Sequence, residues 1–166
     1  MKKLFIVFFL VGSVALLAQK QKIGYVDSQV LYQNYAPAIK AQQDLQILQQ
    51  DWARKKDSLA QVFQKDVQAY QNQKSLMTPQ KQKETEQKLL MQQNAILQQE
   101  QLVLQKAQSI MKPITDAINN AIEKVAKEQK MNFIIEKGSQ TGMILHYADP
   151  KYDMTYKVLD KLKSSK

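Results

Sequence analysis

The chain has 166 residues, with 24 lysines and arginines against 15 acids, one histidine and no cysteine. That length allows one domain, or one small domain with a large extension. Without cysteine, a disulfide scaffold and a His/Cys metal cluster within one chain are excluded, so stability has to come from packing or oligomerisation.

The chain opens with Lys2 and Lys3, followed by the apolar run from Leu4 to Ala18. A basic start, a short apolar core and a small residue before polar sequence form the pattern of a secretory signal peptide over residues 1–18. The run falls short of the roughly 20 residues that a membrane span needs. Cleavage is expected after Ala18, although Leu16 stands where a small residue is usual; a retained N-terminal anchor is the alternative. No cysteine follows the run, which excludes lipid attachment at such a residue. Removing Lys2 and Lys3 leaves 22 basic residues against 15 acids, about +7. An exported basic protein suits an anionic lipid or lipopolysaccharide surface, or other negatively charged chains. Nucleic acid is not expected as a partner, because export takes the protein away from it and no aromatic or basic recognition motif occurs.

In the first flank, residues 19–37, Ile23, Tyr25 and Val26 suggest a short strand. Asp27 or Ser28 can cap a short helix, which Pro37 is expected to interrupt. The middle, from Ala38 to about Gln129, has no glycine, and 20 of the 73 residues from Lys40 to Lys112 are glutamine. Glutamine forms helix well and carries no charge to repel its neighbours. Such composition also occurs in disordered chains, but the apolar spacing argues for helix. Ala41, Leu45, Leu48, Trp52, Leu59 and Val62 fall on one seam, with a stutter to Phe63, Val67 and Tyr70. Leu90, Leu97, Leu104, Ala107, Met111, Ile114, Ile118, Ala121 and Val125 form a second. Each seam is wide enough to bury against one partner helix and too narrow for a globular core.

Between the seams lies "SLMTPQKQ", Ser75 to Gln82. Thr78 can cap a new helix, and Pro79 then takes the first helical position, where its missing N–H costs nothing. This is a start signal, and it predicts that the chain folds back into a hairpin. A kinked single rod is the alternative, since no glycine ends the preceding helix. Folding here pairs residues whose numbers sum to about 155. Leu48 then meets Ala107, Trp52 meets Val103 or Leu104, Leu59 meets Ile96 or Leu97, and Lys55 lies opposite Glu100. The expected arm-packing seam is therefore Leu48, Trp52, Leu59, Leu97, Leu104 and Ala107. Each limb of about 40 residues would be ~60 Å long.

Pro113 is expected to kink the second helix where the arm enters the body. Beyond it, "NFIIEKG" and "GMILHYA" read as two strands joined by "GSQTG". Asp149 and Pro150 mark a turn, and a closing helix places Met154, Val158, Leu159 and Leu162 on one face. The expected fold class is mainly α with a small β body (α+β). A helical-hairpin arm, residues 38–112 with its tip near 75–82, projects from a body of residues 19–37 and 113–166. Three or so short strands bury little alone, so assembly with other copies is expected.

No catalytic constellation, nucleophile elbow or phosphate loop occurs, and no cofactor or enzyme activity is expected. His146 reads as a strand histidine near a turn, unless three copies meet in an assembly. Asp149 and Asp153 read as helix caps rather than a paired-carboxylate site. Lys74, Lys81, Lys83 and Lys88 cluster near the tip, partly offset by Glu84 and Glu86. They form either a solvated helix end or, with Leu76 and Met77, a contact for a client or an anionic membrane.

Taken together, "KIGYVDSQVL", the Gln- and Lys-rich middle broken by "LMTPQKQ", "IMKPITDAINNAIEKVAKEQKMNFIIEKG" and "ILHYADPKYDMTYKVLDKL" resemble the Skp/OmpH family of periplasmic chaperones over residues 19–166. The closing strand, Tyr-Ala-Asp-Pro turn and last helix are the most specific part. The resemblance implies a homotrimer whose hairpins enclose a cavity. It also implies ATP-independent holding of unfolded outer-membrane proteins in the periplasm. A structural coiled-coil envelope protein without client binding is the alternative.

Overall fold

The computed structural model describes residues 21–138 and 145–164. The expected signal peptide, and residues 142–144 of the expected strand "GMILHYA", lie outside them. Two strands and four α-helices follow in the order β1 (Ile23–Val26), α1 (Ser28–Asn34), α2 (Ala36–Gln73), α3 (Pro79–Gln129), β2 (Phe133–Glu136) and α4 (Thr155–Ser164). Short 3-10 turns at Lys74–Leu76 and Pro150–Tyr152 precede α3 and α4.

β1 and β2 pair in parallel, with Ile23 opposite Phe133 and Val26 opposite Glu136. Parallel strands need a long crossover, and here it is the entire excursion through α1, α2 and α3. Lys22 N–H donates to the Asn132 side chain at 2.9 Å and Asn132 N–H returns to the Lys22 carbonyl at 2.8 Å, fixing where the pairing starts. The chain leading into α4 lies along the other edge of β1, where Met154 N–H donates to the Tyr25 carbonyl at 2.8 Å. That close approach explains Gly24, since a Cβ there would stand 3.1 Å from the Met154 Cγ. Leu145 to Ala148 are not in a strand, so the described sheet has two strands where sequence suggested three.

Caps and prolines set the helix boundaries. The Asp27 side chain accepts from Val30 N–H and starts α1. Ser28 donates its hydroxyl to Glu136, whose other carboxylate oxygen accepts Ser28 N–H at 2.9 Å, so the end of β2 also holds the start of α1. The short helix α1 ends at Asn34, ahead of Pro37, as expected. Tyr35 is extended, and Pro37 lies in the first turn of α2, where an absent N–H has no intrahelical partner to lose. α3 continues through Pro113 as one helix. The proline removes one N–H, but Ser109, four residues earlier, is solvent-exposed, so water can serve its freed carbonyl.

α2 and α3 are antiparallel limbs of one hairpin, about 57 and 76 Å long at 1.5 Å per residue. The core lies at their base, where Val26, Leu31, Ala38, Ala41, Ile114, Ile118, Ala121 and Val125 meet Met154, Val158, Leu159 and Leu162. All four apolar residues expected on the face of the closing helix are buried there. Ala38 and Ala41 are small because α2 crosses the body at this level, where a larger side chain would push the helices apart.

At the end of α3, Lys130 adopts the left-handed conformation (φ 53°, ψ 44°), and Met131 N–H closes on the Ala126 carbonyl at 2.9 Å. Glycine is the usual occupant of such a cap. Lys130→Gly should raise stability by about 0.5–1 kcal/mol, the steric relief less the added unfolded-chain entropy. A lower thermal midpoint than wild type would show that the lysine side chain contributes more than the strain costs.

Candidate functional site

Among the described residues, the arm carries most of the exposed large apolar side chains, and its geometry follows from a polar-interrupted seam. On α2 the half-buried side chains are Leu45, Leu48, Trp52, Leu59, Phe63, Val67 and, fully buried, Tyr70. On α3, Leu89, Ile96, Val103 and Ile110 recur every seven residues and share the protected face. The hairpin register has Lys56 bridging Glu100 at 2.8 Å and Lys55 donating to Gln99 at 2.9 Å. The expected Lys55–Glu100 opposition is therefore displaced by one residue, onto the neighbours on each side. The Lys56–Glu100 pair is half-exposed and contributes about 0–1 kcal/mol, so it orients the limbs more than it holds them.

Six residues were expected to pack the arm. Leu48, Trp52, Leu59 and Ala107 are half-buried between the limbs. Leu97 and Leu104 are not: they are 54 and 52 % exposed, and their neighbours Ile96 and Val103 face inward. With Leu90, 57 % exposed, they form a second apolar row at seven-residue spacing on the flank of α3. Adjacent residues on a helix differ by about 100°, so Leu90, Leu97 and Leu104 of the second expected seam face outward, whereas Ala107 and Met111 are half-buried and Ile114, Ile118, Ala121 and Val125 are buried as expected.

The tip forms as the Thr78–Pro79 signal implies. The Thr78 hydroxyl accepts Lys81 N–H at 3.3 Å, and Pro79 opens α3. The Gln82 side chain donates to the carbonyls of Lys74 at 2.9 Å and Met77 at 3.2 Å, adding to the Met77 N–H that reaches the Lys74 carbonyl at 3.2 Å. Behind this turn Tyr70 donates its hydroxyl to Glu86, and Lys74 approaches the same carboxylate at 3.3 Å. The Lys74 ammonium also stands 5.3 Å over the Tyr70 ring. Composition does not advertise this knot, but Tyr70 and Glu86 match the hairpin sum, so the register could have found it.

Lys74 is thereby engaged, and Lys81 pairs with Glu84 at 3.3 Å. Lys83 and Lys88 are exposed and, among the described residues, make no ion pair. Leu76 is 87 % exposed at the apex, whereas Met77 is half-covered and helps close the turn. Midway along the arm, Leu59, Val62, Phe63, Ala95, Ile96 and Gln92 line an apolar groove of about 190 Å³, with Lys55 and Gln99 at one end.

In the body, Asp149 accepts Lys151 N–H at 3.0 Å and Asp153 accepts Thr155 N–H at 2.8 Å. His146 is exposed and outside any strand. Among the described residues, no group of three His, Cys, Asp or Glu side chains gathers to hold a metal, and no helix is long and apolar enough to cross a membrane.

Two short strands closing a long helical hairpin define a tentacled α+β protein. The profile of the OmpH-like outer membrane protein family matches residues 22–162, and the chain belongs to that family. It is similar to the crystal structure of an OmpH-like candidate outer membrane chaperone from Caulobacter crescentus CB15, with a TM-score of 0.55 and 16 % identity over 87 % of this chain and 85 % of that one. No curated protein matches the chain at a significant level.

The hydroxyl of Tyr70, then the Lys74 ammonium, holds the Glu86 carboxyl below its usual range, while Glu86 raises both Lys74 and Tyr70. Because the folded Glu86 value is depressed, its tie across the tip is intact above the ordinary glutamate value of about 4.3 and is lost as pH falls through its own lower value. The raised Lys74 and Tyr70 work the other way, holding below about 10 and weakening as pH rises through their folded values. A carbon-13 titration of the Glu86 carboxyl should give a midpoint below 4.3, and Tyr70→Phe should move it upward. An unchanged midpoint in the variant would mean that Tyr70 does not hold the carboxylate.

Proposed function

We propose that this protein is an ATP-independent periplasmic holdase, exported with loss of residues 1–18, that binds unfolded outer-membrane proteins between the arms of a homotrimer. The observation that carries the reading is the row Leu90, Leu97 and Leu104, left exposed on the arm together with Ile39, Ile47, Val62, Leu76, Met91 and Leu102 among many glutamines and lysines. Scattered exposed leucines are ordinary, but an aligned apolar row on a polar limb marks a contact surface. Membership of the OmpH-like family and the candidate-chaperone name of the Caulobacter relative support the same reading.

The chemistry suits a holder rather than a catalyst. An unfolded β-barrel chain exposes alternating apolar side chains and unpaired backbone groups. Methionine and leucine offer soft apolar contact, glutamine offers hydrogen bonds without a fixed geometry, and lysine adds long-range attraction. Many weak contacts spread over an arm allow release without ATP. In this reading residues 38–112 act as the limb, and residues 19–37 with 113–166 as the body. Ile23 and Phe133, paired in the sheet register and both about half-exposed, supply apolar surface for the joining of three bodies.

The decisive measurement is aggregation of a denatured outer-membrane β-barrel protein diluted from urea, without ATP, at one trimer per client. Suppression is expected, and replacing Leu90, Leu97 and Leu104 together by glutamine should weaken it several-fold while leaving the helical circular dichroism unchanged. Aggregation unaffected by the wild-type protein would leave the structural coiled-coil reading in its place. The exposed Lys83 and Lys88, with Lys74 and Lys81, are proposed as a contact for an anionic membrane. Changing all four to glutamine should lower binding to phosphatidylglycerol vesicles and flatten its salt dependence; equal binding would remove the membrane from the reading.

A further inference from the structure

We propose that the row Leu90, Leu97 and Leu104 is also a self-pairing surface, on which the arm of a second copy of this chain lies antiparallel, Leu97 against Leu97 and Leu90 against Leu104. The pairing does not rest on the holdase reading; only its displacement by a client does.

The spacing of the row calls for a helix as its partner. On a straight α-helix a seven-residue row drifts by about 20° per repeat. The inner face of α3 already packs on α2 with that period, through Leu89, Ile96, Val103 and Ile110. An outer row with the same period keeps a constant angle to the inner one and runs along the arm as a strip. Another helix with the same repeat can follow the strip over its whole length, whereas an unfolded chain has no such repeat.

The charges around the strip choose the occupant and its direction. On one side Glu86 is committed to Tyr70 and Lys74, and Glu100 to Lys56. On the other, Gln87, Asn94, Gln101 and Gln108 are exposed and uncharged. The strip therefore offers a copy of itself amides rather than free like charges, which suits a two-fold contact. Lys83 lies seven residues before Leu90 on the same row and is exposed. Parallel arms would set Lys83 against Lys83 and bring two basic tips together. Antiparallel arms set it beside Met111, seven residues beyond Leu104. From Leu90 to Leu104 the strip is ~21 Å long and about 10 Å wide. Its pairing buries on the order of 400 Å² over both copies, well under the about 1,200 Å² of a lasting complex. The contact is thus reversible, and covers the leucines until a client displaces it.

The test exploits the absence of cysteine, since each introduced thiol reports alone. Leu90→Cys, Leu97→Cys and Leu104→Cys are prepared as separately folded full chains with wild-type helical circular dichroism. Lys106→Cys, exposed on the opposite side of α3, is the collision control. Under copper phenanthroline, Leu97→Cys should cross-link to itself about tenfold faster than Lys106→Cys, because paired arms hold the thiols at a raised effective concentration. Folded Leu90→Cys and Leu104→Cys, carrying tags of different mass, should join each other faster than either joins itself. Equal rates at positions 97 and 106 would overturn the pairing, as would Leu90→Cys joining itself faster than it joins Leu104→Cys (the parallel arrangement). An unfolded outer-membrane β-barrel protein should slow the Leu97→Cys reaction several-fold. A client kept from aggregating without slowing it would overturn the displacement. If the arms do not cross-link while aggregation is still suppressed, the holdase reading survives. If they cross-link as described but aggregation is not suppressed, the pairing stands without that reading.

Discussion

The structure depends on the parallel pairing of Ile23–Val26 with Phe133–Glu136. These segments are separated by the whole hairpin, and joining them has an entropic cost that grows with the intervening chain. The limbs reduce that cost by being stiff: two long antiparallel helices bring their own ends together before the strands meet. Four residue pairs would be a poor anchor alone. They are reinforced by Met154 bonding to the Tyr25 carbonyl, by Glu136 holding the first turn of α1, and by the apolar face of α4 covering the base of the hairpin.

This arrangement divides the molecule by chemistry. The base packs like an ordinary core, with Leu31 and Val158 entirely shielded. The arm packs through one narrow seam in which leucine and isoleucine alternate with Thr85, Gln92 and Gln99. Such a seam holds two helices in register without making the limb fully apolar, and each half-buried polar side chain specifies the alignment at some cost in stability. The Asp66–Gln92 bond and the Tyr70–Glu86 knot lie at successive levels of the seam, so register is checked repeatedly toward the tip.

Much of this was readable from residue order, for physical reasons that differ by element. Thr78 followed by Pro79 has few uses other than starting a helix, and the coincidence of two apolar stripes about that point favoured a hairpin over a kinked rod. The closing helix was legible because Met154, Val158, Leu159 and Leu162 have no other face to share. The inward face of α3 was not, because Leu89–Leu90, Ile96–Leu97 and Val103–Leu104 are adjacent apolar pairs. Either member of each pair satisfies a seven-residue period, and only the partner helix chooses between them. Pro37 was legible as a boundary, but the same residue also lies in the first turn of the next helix, so the boundary is only one residue wide. The groove at Gln92 needed three dimensions: it arises where Val62 and Ala95, far apart in the chain, flank a glutamine already committed to Asp66.

α3 is at once the outer limb and, from Ile114 to Val125, a wall of the core. It therefore acts as a lever whose fulcrum is the body. From Pro79 to Ile114 the helix spans about 35 residues, or roughly 52 Å, so a tilt of about 5° at the base carries the tip ~4–5 Å. Small adjustments at Ala38, Ala41 and Ile114 would swing the tip through that distance with every backbone hydrogen bond of the limb intact. The position of the tip is thus governed by packing at the opposite end of the limb.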